Sequence, residues 1–542
     1  VNVGGEHLAI PVGYTEQITL DKIIELDEGD DLQLVNGEYH LLKSDKIDET
    51  NTSVKMVTVN ASSNPINSIK VINDRTYPQP EDVTVEDIES EGSVNTEAHG
   101  IDEAVIEIGS LTANTPAKLT LSFEINKTSS ISYSDVTIDK MTITFPDFIK
   151  FEEGQSGLNG QVLTISNKTL SSSTYTIDLY ISKYVFGEKY GDGNKVKEEN
   201  GDRIIKIENQ KITVKTDVTV HQARGTGSLS ITPTAILAAM TVSEVNGTIK
   251  PDMDVKPTEV ELTNLPDEEV KLDITNPVFS FKANNPLNEE IEMDGIMTGY
   301  KNGKVTKTVK IGSGNGGVPI KLKPSGNKQQ TISIVRNEKT VVETGATKVI
   351  VPNLNDIIET IPDRISVELK PAVKTDDYYT VNLGQDYVLN SEYNIDIPLS
   401  FGSGLKIVYE ETIDDFDLDL EDVDIKKAII SITADNTIPL KMEIKNENVS
   451  ALDVNGNKIT DINVTVEGTI TESKDGKSIA TSQLNINLVS TKEGAISKLD
   501  GLFFKVTAVP GQATDVQLLS SQWMQLKDMK LKIPNGIKVD LN

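Results

Sequence analysis

Pairs of Asn or Asp followed by Gly recur along this chain, each set between short runs in which apolar and polar residues alternate. QLVNGEYHLL (33–42) and KNGKVTKTVKI (301–311) are two examples. Asn and Gly reach the positive φ that a two-residue type I′ turn requires, and alternation at period two gives a strand one buried face and one wet face. Asn36-Gly37, Asn159-Gly160, Asn246-Gly247, Asn302-Gly303, Asn455-Gly456 and Asp475-Gly476 therefore read as hairpin turns. KLTLSFEI, QKITVKTDVTV, TVVETGATKVIV and SQLNINLVS read as strands. The fold class that follows is all-β, mainly antiparallel: several serial β-sandwich domains with a few short helices. Helical signals are confined to TLDKIIEL (19–26), TPTAILAAMTVSEV (232–245), NLNDIIETI (353–361) and STKEGAISKLDG (490–501).

A chain of 542 residues is too long for one core. Its apolar content is carried by Ile, Val and Leu, with aromatics at only 5%. The expected division is an N-terminal β domain over 1–80, an acidic linker over 81–103, and β-sandwich domains over 104–258, 259–370 and 371–542. The linker expectation rests on TYPQPEDVTVEDIESEGSVNTEAHGIDE (76–103), which holds two prolines and many acids, with no Lys or Arg before Lys118.

One phrase recurs. FPDFIKFE surrounds Pro146, IPDRISVE surrounds Pro362, IPNGIKVD surrounds Pro534, and LPDEEVKLD surrounds Pro266 with one residue inserted. Pro fixes φ, the following Asp or Asn bonds its own backbone, and the trailing alternation starts a strand, so each copy reads as a sheet corner. A second echo joins LTANTPAKLTLSFEIN (111–126), ITADNTIPLKMEIKNEN (432–448) and ITNPVFSFKANNPLNEEI (274–291). Related repeat units with insertions would produce both echoes.

Net charge is −31, from 83 acids against 52 basic residues. Such a surface repels nucleic-acid phosphates and anionic headgroups, so nucleic acid is set aside as a partner. No cysteine is present, which removes disulfides, thiolate metal sites and cysteine nucleophiles. No apolar run approaches the length of a membrane-spanning helix. The start at VNVGGEHLAI suggests a processed product whose signal peptide or lipid anchor has been removed.

Few groups invite chemistry. GSGNGG (312–317) matches G-x-G-x-x-G, but the strand-like VPIKLKP follows it where a dinucleotide site needs a helix. The four histidines, His7, His40, His99 and His221, share no metal spacing. EETIDDFDLDLEDVDIK (410–426) places Asp415, Asp417, Asp419 and Glu421 at alternate positions, opposite Phe416, Leu418 and Leu420. Such carboxylates are hard oxygen ligands suited to calcium, and equally a solvated strand face. DVNGNKITD (453–461) lacks the glycine and glutamate positions of a calcium loop. In YTIDLYISKYVFGEKY (175–190), Tyr180, Tyr184 and Phe186 share parity, so they form either a platform for a sugar or protein partner or part of a core. Trp523, the single tryptophan, is expected to be buried.

The strand flanked by Asn276-Pro277 and Asn285-Pro286 resembles the Asn-Pro signature of late-embryogenesis-abundant type 2 sandwiches, close in architecture to fibronectin III. IPVGYTEQITLDKIIEL with LVNGEYHLL, the LPDEEVKLDITNP join and KEGAISKLDGLFFKVTA resemble exported envelope proteins of gut Bacteroidetes, many of them lipoproteins. That resemblance implies export to the surface, outer membrane or periplasm of a Gram-negative cell, with a protein or glycan as partner. The expected function is a non-catalytic cell-envelope protein acting as a binding or structural module, with no cofactor unless calcium binds the acidic run. An adhesin or pilus-type subunit, a carrier of an apolar ligand such as a lipid, and a carboxylate-based polysaccharide-processing enzyme remain as alternatives.

Overall fold

A computed structural model of the chain describes residues 2–3, 9–24, 31–170, 172–187, 194–262, 276–315, 317–360, 362–398, 403–420, 423–513, 516–534 and 537–538. Strands dominate them. They assemble into a fourteen-stranded sheet, two sheets of six, one of five, one of four and a two-stranded pair. Among the described residues one strand pair is parallel, Gln330–Val335 with Thr347–Ile350, and the others are antiparallel. Of TVVETGATKVIV, only that last stretch is strand.

The turn chemistry acts as expected at Asn36-Gly37 and Asn302-Gly303, where both residues have positive φ and the flanking strands pair directly. Asn200-Gly201, in EENGDR, is a third such turn that the sequence reading passed over. Asn246-Gly247 is a correction. It lies inside the strand Met240–Ile249, and a Cβ at Gly247 would sit 2.0 Å from the Glu107 carbonyl oxygen. Glycine is there for close strand approach, not for a turn. The turn expected at Asn159-Gly160 falls one residue later, because Asn159 still pairs with Val162.

The helix expected over 232–245 is absent. Residues 232–237 end the 36-residue strand Asp202–Leu237, and burial alternates along them at period two. Pairing on both edges, with Leu119–Lys127 and with Ser62–Pro65, overrides the helical propensity of the Ala-Ile-Leu run. The other helical stretches shrink to single turns at Leu20–Ile23, Asp356–Glu359 and Ile496–Lys498.

Sheet membership ignores sequence order. Residues 1–80 do not form a unit: Ala9–Gly13 and Ile18–Thr19 pair with Trp523–Lys532, Glu38–Thr52 pairs with Tyr387–Pro398, and Ile69–Ala98 pairs with Asp202–Leu237. Tyr379–Asn382 joins the central sheet beside Met240–Ile249. The 81–103 linker is also corrected. Most of it is the second half of the 30-residue strand Ile69–Ala98.

Two corners show how the second echo is used. Asn285 is fully buried; its Oδ1 accepts the Leu287 N–H, and its Nδ2 donates to the Glu289 and Leu322 carbonyls. Asn436 repeats the arrangement, accepting from Ile438 N–H and donating to the Leu440 and Thr471 carbonyls. The first carries the chain from Val278–Ala283 in a six-stranded sheet to Ile291–Lys301 in the five-stranded one. The second carries it from Lys427–Asn436 in the other six-stranded sheet to Lys441–Glu443 in the four-stranded one. Asn114, at the third echo, lies exposed within the strand Val105–Lys127 and makes no corner.

Among the Pro corners, Pro146 behaves as read, with Ile149 N–H donating to its carbonyl and the strand Ile149–Phe151 following. Strands also follow Pro362 and Pro534. The Pro266 copy lies outside the described residues.

Candidate functional site

The longest continuous feature is the ribbon of Ile69–Ala98 against Asp202–Leu237, paired from Ile69↔Ile231 to Ala98↔Ile205. At roughly 3.3 Å per residue, its thirty-residue strand reaches up to about 100 Å before bulges shorten it. Bulges interrupt the register repeatedly, for example where Asp87 has φ 56° and its N–H donates to the Asp217 carboxylate. Beyond Gly92 the far edge of the first strand is met by Ile66 and Val59; from Ile69 to Glu89 it has no second strand partner among the described residues.

This edge explains the misread linker. Glu81, Glu86, Asp87, Glu89 and Glu91 are exposed, while Val83, Val85 and Ile88 are half-buried against the core. An edge strand facing water on most of its surface needs the acid-rich, proline-containing composition that a linker also has. The compensating cations come from the partner strand more than a hundred residues away: Lys211 pairs with Glu91, and Lys215 with Asp87 at 2.9 Å.

Histidine–carboxylate bridges tie the same ribbon twice, in opposite directions. Just beyond the first strand, His99 Nδ1 lies 2.7 Å from an Asp202 carboxylate oxygen, and its Nε2 lies 3.4 Å from Glu97. The other Asp202 oxygen accepts the Gly100 N–H. On the second strand, His221 Nδ1 lies 3.2 Å from Asp82, whose other oxygen accepts the Gln222 N–H. Its Nε2 faces Thr137 Oγ1 at 3.2 Å and Asp135 at 3.8 Å on the strand Asp135–Thr144, so one imidazole touches three strands. The hydrogen bond to Asp202 raises the His99 pKa above 6.5. The His99 bond, then the Gly100 N–H, hold Asp202 below the usual carboxylate range; the Gln222 N–H, then His221, do the same for Asp82. His40 likewise lies between Asp396 and Glu38, whereas His7 lies outside the described residues.

The aromatic trio does not share a face. Tyr180 is 45% exposed, whereas Tyr184 and Phe186 are buried. The register of Thr174–Val185 against Val105–Lys127 slips between Ile181 and Lys183, so the inward series runs Leu179, Ile181, Tyr184. A one-residue slip moves every later side chain to the opposite face. Tyr184 and Phe186 pack on Phe148, with ring centroids 5.3 and 5.8 Å away, as core filling, and burial raises the Tyr184 pKa.

The acidic run leaves the strand Ile407–Ile413 at its start, and residues 414–420 are not strand. Asp415 and Asp417 both adopt positive φ, Phe416 and Leu420 are buried, and Asp415, Asp417 and Asp419 are exposed. The sided pattern survives without sheet pairing. Asp417 N–H donates to Asp500 at 3.3 Å, and among the described residues no three His, Asp or Glu groups converge as metal ligands. Glu421 lies outside the described residues. In 453–461 the Asp453 carboxylate accepts the Asn455 and Asn457 N–H groups, making a turn of its own. GSGNGG leads through a short 3-10 turn to the strand Ile320–Leu322, and Asp294 bonds Ser313. Trp523 begins a strand and is only half-buried.

Between the five-stranded sheet and its six-stranded partner lies an apolar cavity of about 50 Å3, with Val260, Met297 and Ile365 on one wall and Phe279, Phe281 and Ile395 on the other. One water needs roughly 10–15 Å3 and ligand pockets begin near 300 Å3, so this is a packing gap at the scale of a side chain. Among the described residues, no helix is long and apolar enough to cross a membrane.

No family model matches the chain, and no curated protein does. Among solved structures, a predicted secreted protein of Parabacteroides distasonis aligns over 54% of this chain and 82% of its own, at 15% identity and TM-score 0.38. A Sulfolobus turreted icosahedral virus structure covers 84% and 91% at 9% identity and TM-score 0.13. An infectious bursal disease virus structure, strain Gx, covers 89% and 82% at 7% identity and TM-score 0.15. Likenesses this faint carry no argument about function.

Proposed function

We propose that this chain is a non-catalytic structural or binding module of an exported cell-envelope protein, working through the surface of its sheets. The observation that carries the reading is the ribbon 69–98/202–237, whose length, acidic free edge and cross-strand charge pairs suit a spacer or docking rail. The ribbon's histidines and the carboxylates they perturb are engaged strand to strand, where they brace the sheet. Envelope location rests on the sequence resemblance and the acidic, cysteine-free composition.

The edge from 69 to 89, without a second strand partner among the described residues, gives the adhesin or pilus-type reading the next place, because such an edge can be extended by another chain's strand. The 50 Å3 gap between these two sheets gives the lipid-carrier reading no support. The test is to express the full-length gene product in a Gram-negative host, then fractionate the cells and treat them with an external protease. Outer-membrane or surface recovery supports the reading; cytosolic recovery overturns it.

A further inference from the structure

We infer that the central ribbon carries a pH-sensitive lock at its His99 end: His99, set between Asp202 and Glu97, holds Ile69–Ala98 against Asp202–Leu237 most firmly when doubly protonated, and releases part of that hold as pH rises, while His221 ties the same two strands further along. The geometry is reciprocal. His99 follows the first strand and reaches Asp202 on the second; His221 sits on the second and reaches back to Asp82 on the first. In both, the aspartate's other oxygen accepts the N–H of the residue after the histidine, Gly100 or Gln222. A neutral imidazole can donate to only one of its two neighbours, whereas the imidazolium donates to both. On protonation His99 therefore gains a second charged contact, Glu97, and its bond to Asp202 across the ribbon becomes an ion pair.

The surrounding charges are consistent with this. Around His99 the facing carboxylates are Asp202 and Glu97; Lys206 is paired with Glu199, and the Arg203 guanidinium is turned to the Glu103 and Val105 carbonyls. Around His221 the facing charges are Asp82 on one neighbouring strand and Asp135 on the other, with Thr137 supplying a hydroxyl. His99 gains its partners on folding and its pKa rises, so its stabilisation is complete below about pH 6.5 and is lost as pH climbs through the higher folded value. Asp82 and Asp202 have lowered values, so their share is present above pH 3.8 and disappears in stronger acid. The lock is tightest in weakly acidic solution.

The test uses the whole chain. Histidine ring proton resonances are followed by NMR from pH 5 to 9, with His99→Gln and His221→Gln serving as assignments. Hydrogen exchange of 81–98, corrected for the intrinsic pH effect, is measured over the same range, with 480–490 as an internal reference. The expected result is a His99 midpoint above 6.5 and a loss of protection in 81–98 of about two- to five-fold across it, the size of an exposed ion pair. The step should vanish in His99→Gln while 480–490 stays unchanged. A His99 midpoint at or below 6.5, no step in the wild type, or a step that survives His99→Gln overturns the lock. Should His99→Gln not fold, the two wild-type measurements decide it.

Discussion

At Asn436 three hydrogen bonds of a fully buried amide turn the chain from one sheet to the next, whereas at His221 a half-exposed imidazole joins three strands through carboxylates in contact with water. Both sites join segments distant in sequence, but in different dielectric surroundings. A buried amide that loses its partners strands polar groups where no water can replace them. An exposed charge pair that is lost is resolvated at little cost, and salt and pH tune it while it exists. The sandwich corners are therefore the fixed part of the molecule, and the ribbon is the part that responds to its solution.

The comparison can be broken at several levels. Asn436→Ala should cost about 3 kcal/mol in chemical denaturation, because the Ile438 N–H and the Leu440 and Thr471 carbonyls all lose their partner; Asn285→Ala should behave alike. A loss below about 1 kcal/mol at either would show that the corners do not set the sandwich joints. Gly247→Ala, which drives a methyl group into the Glu107 carbonyl, should cost about 1–3 kcal/mol and appear first as faster exchange in 105–113. Lys215→Met, with Asp87 left unpaired on the surface, should cost only about 0.2–1 kcal/mol, and the difference should shrink in 1 M salt, where the screening length is about 3 Å. A salt-independent loss would mean that Lys215 acts through its hydrocarbon stem. The smallest effect is an acid one: below pH 3.8 the shares of Asp82 and Asp202 should disappear, so exchange in 81–98 should rise as pH falls, while the Asn436 corner keeps its bonds.

Much of the fold was legible locally. Asn36-Gly37 and Asn302-Gly303 are the turns their chemistry demands, and two of the three segments in the second echo, read as repeat units, hold corners with the same hydrogen-bond pattern. The errors have physical causes. Residues 81–98, the larger part of the edge strand 69–98, read as linker because an edge exposed to water and a solvated tether need the same residues. Tyr180 was grouped with Tyr184 because parity persists only until a bulge, and the slip at Ile181/Lys183 involves a second strand that no window of one strand contains. The ribbon's histidines show no cross-strand partner in the sequence because those carboxylates lie 103 and 139 residues away.

By itself the sequence determined the all-β class, many of the strands and several tight turns, since each depends on side chains within a few residues of one another. Tertiary structure alone decided the partners. Thr15 N–H donates to Leu526, 511 residues away, and Glu38–Thr52 pairs with Tyr387–Pro398 instead of any near neighbour. Backbone hydrogen bonds are nearly indifferent to side-chain identity. Which strand meets which is settled by the joint burial of faces drawn from the whole chain, and that is why the acid-rich stretch after Tyr77 is an edge of the central sheet.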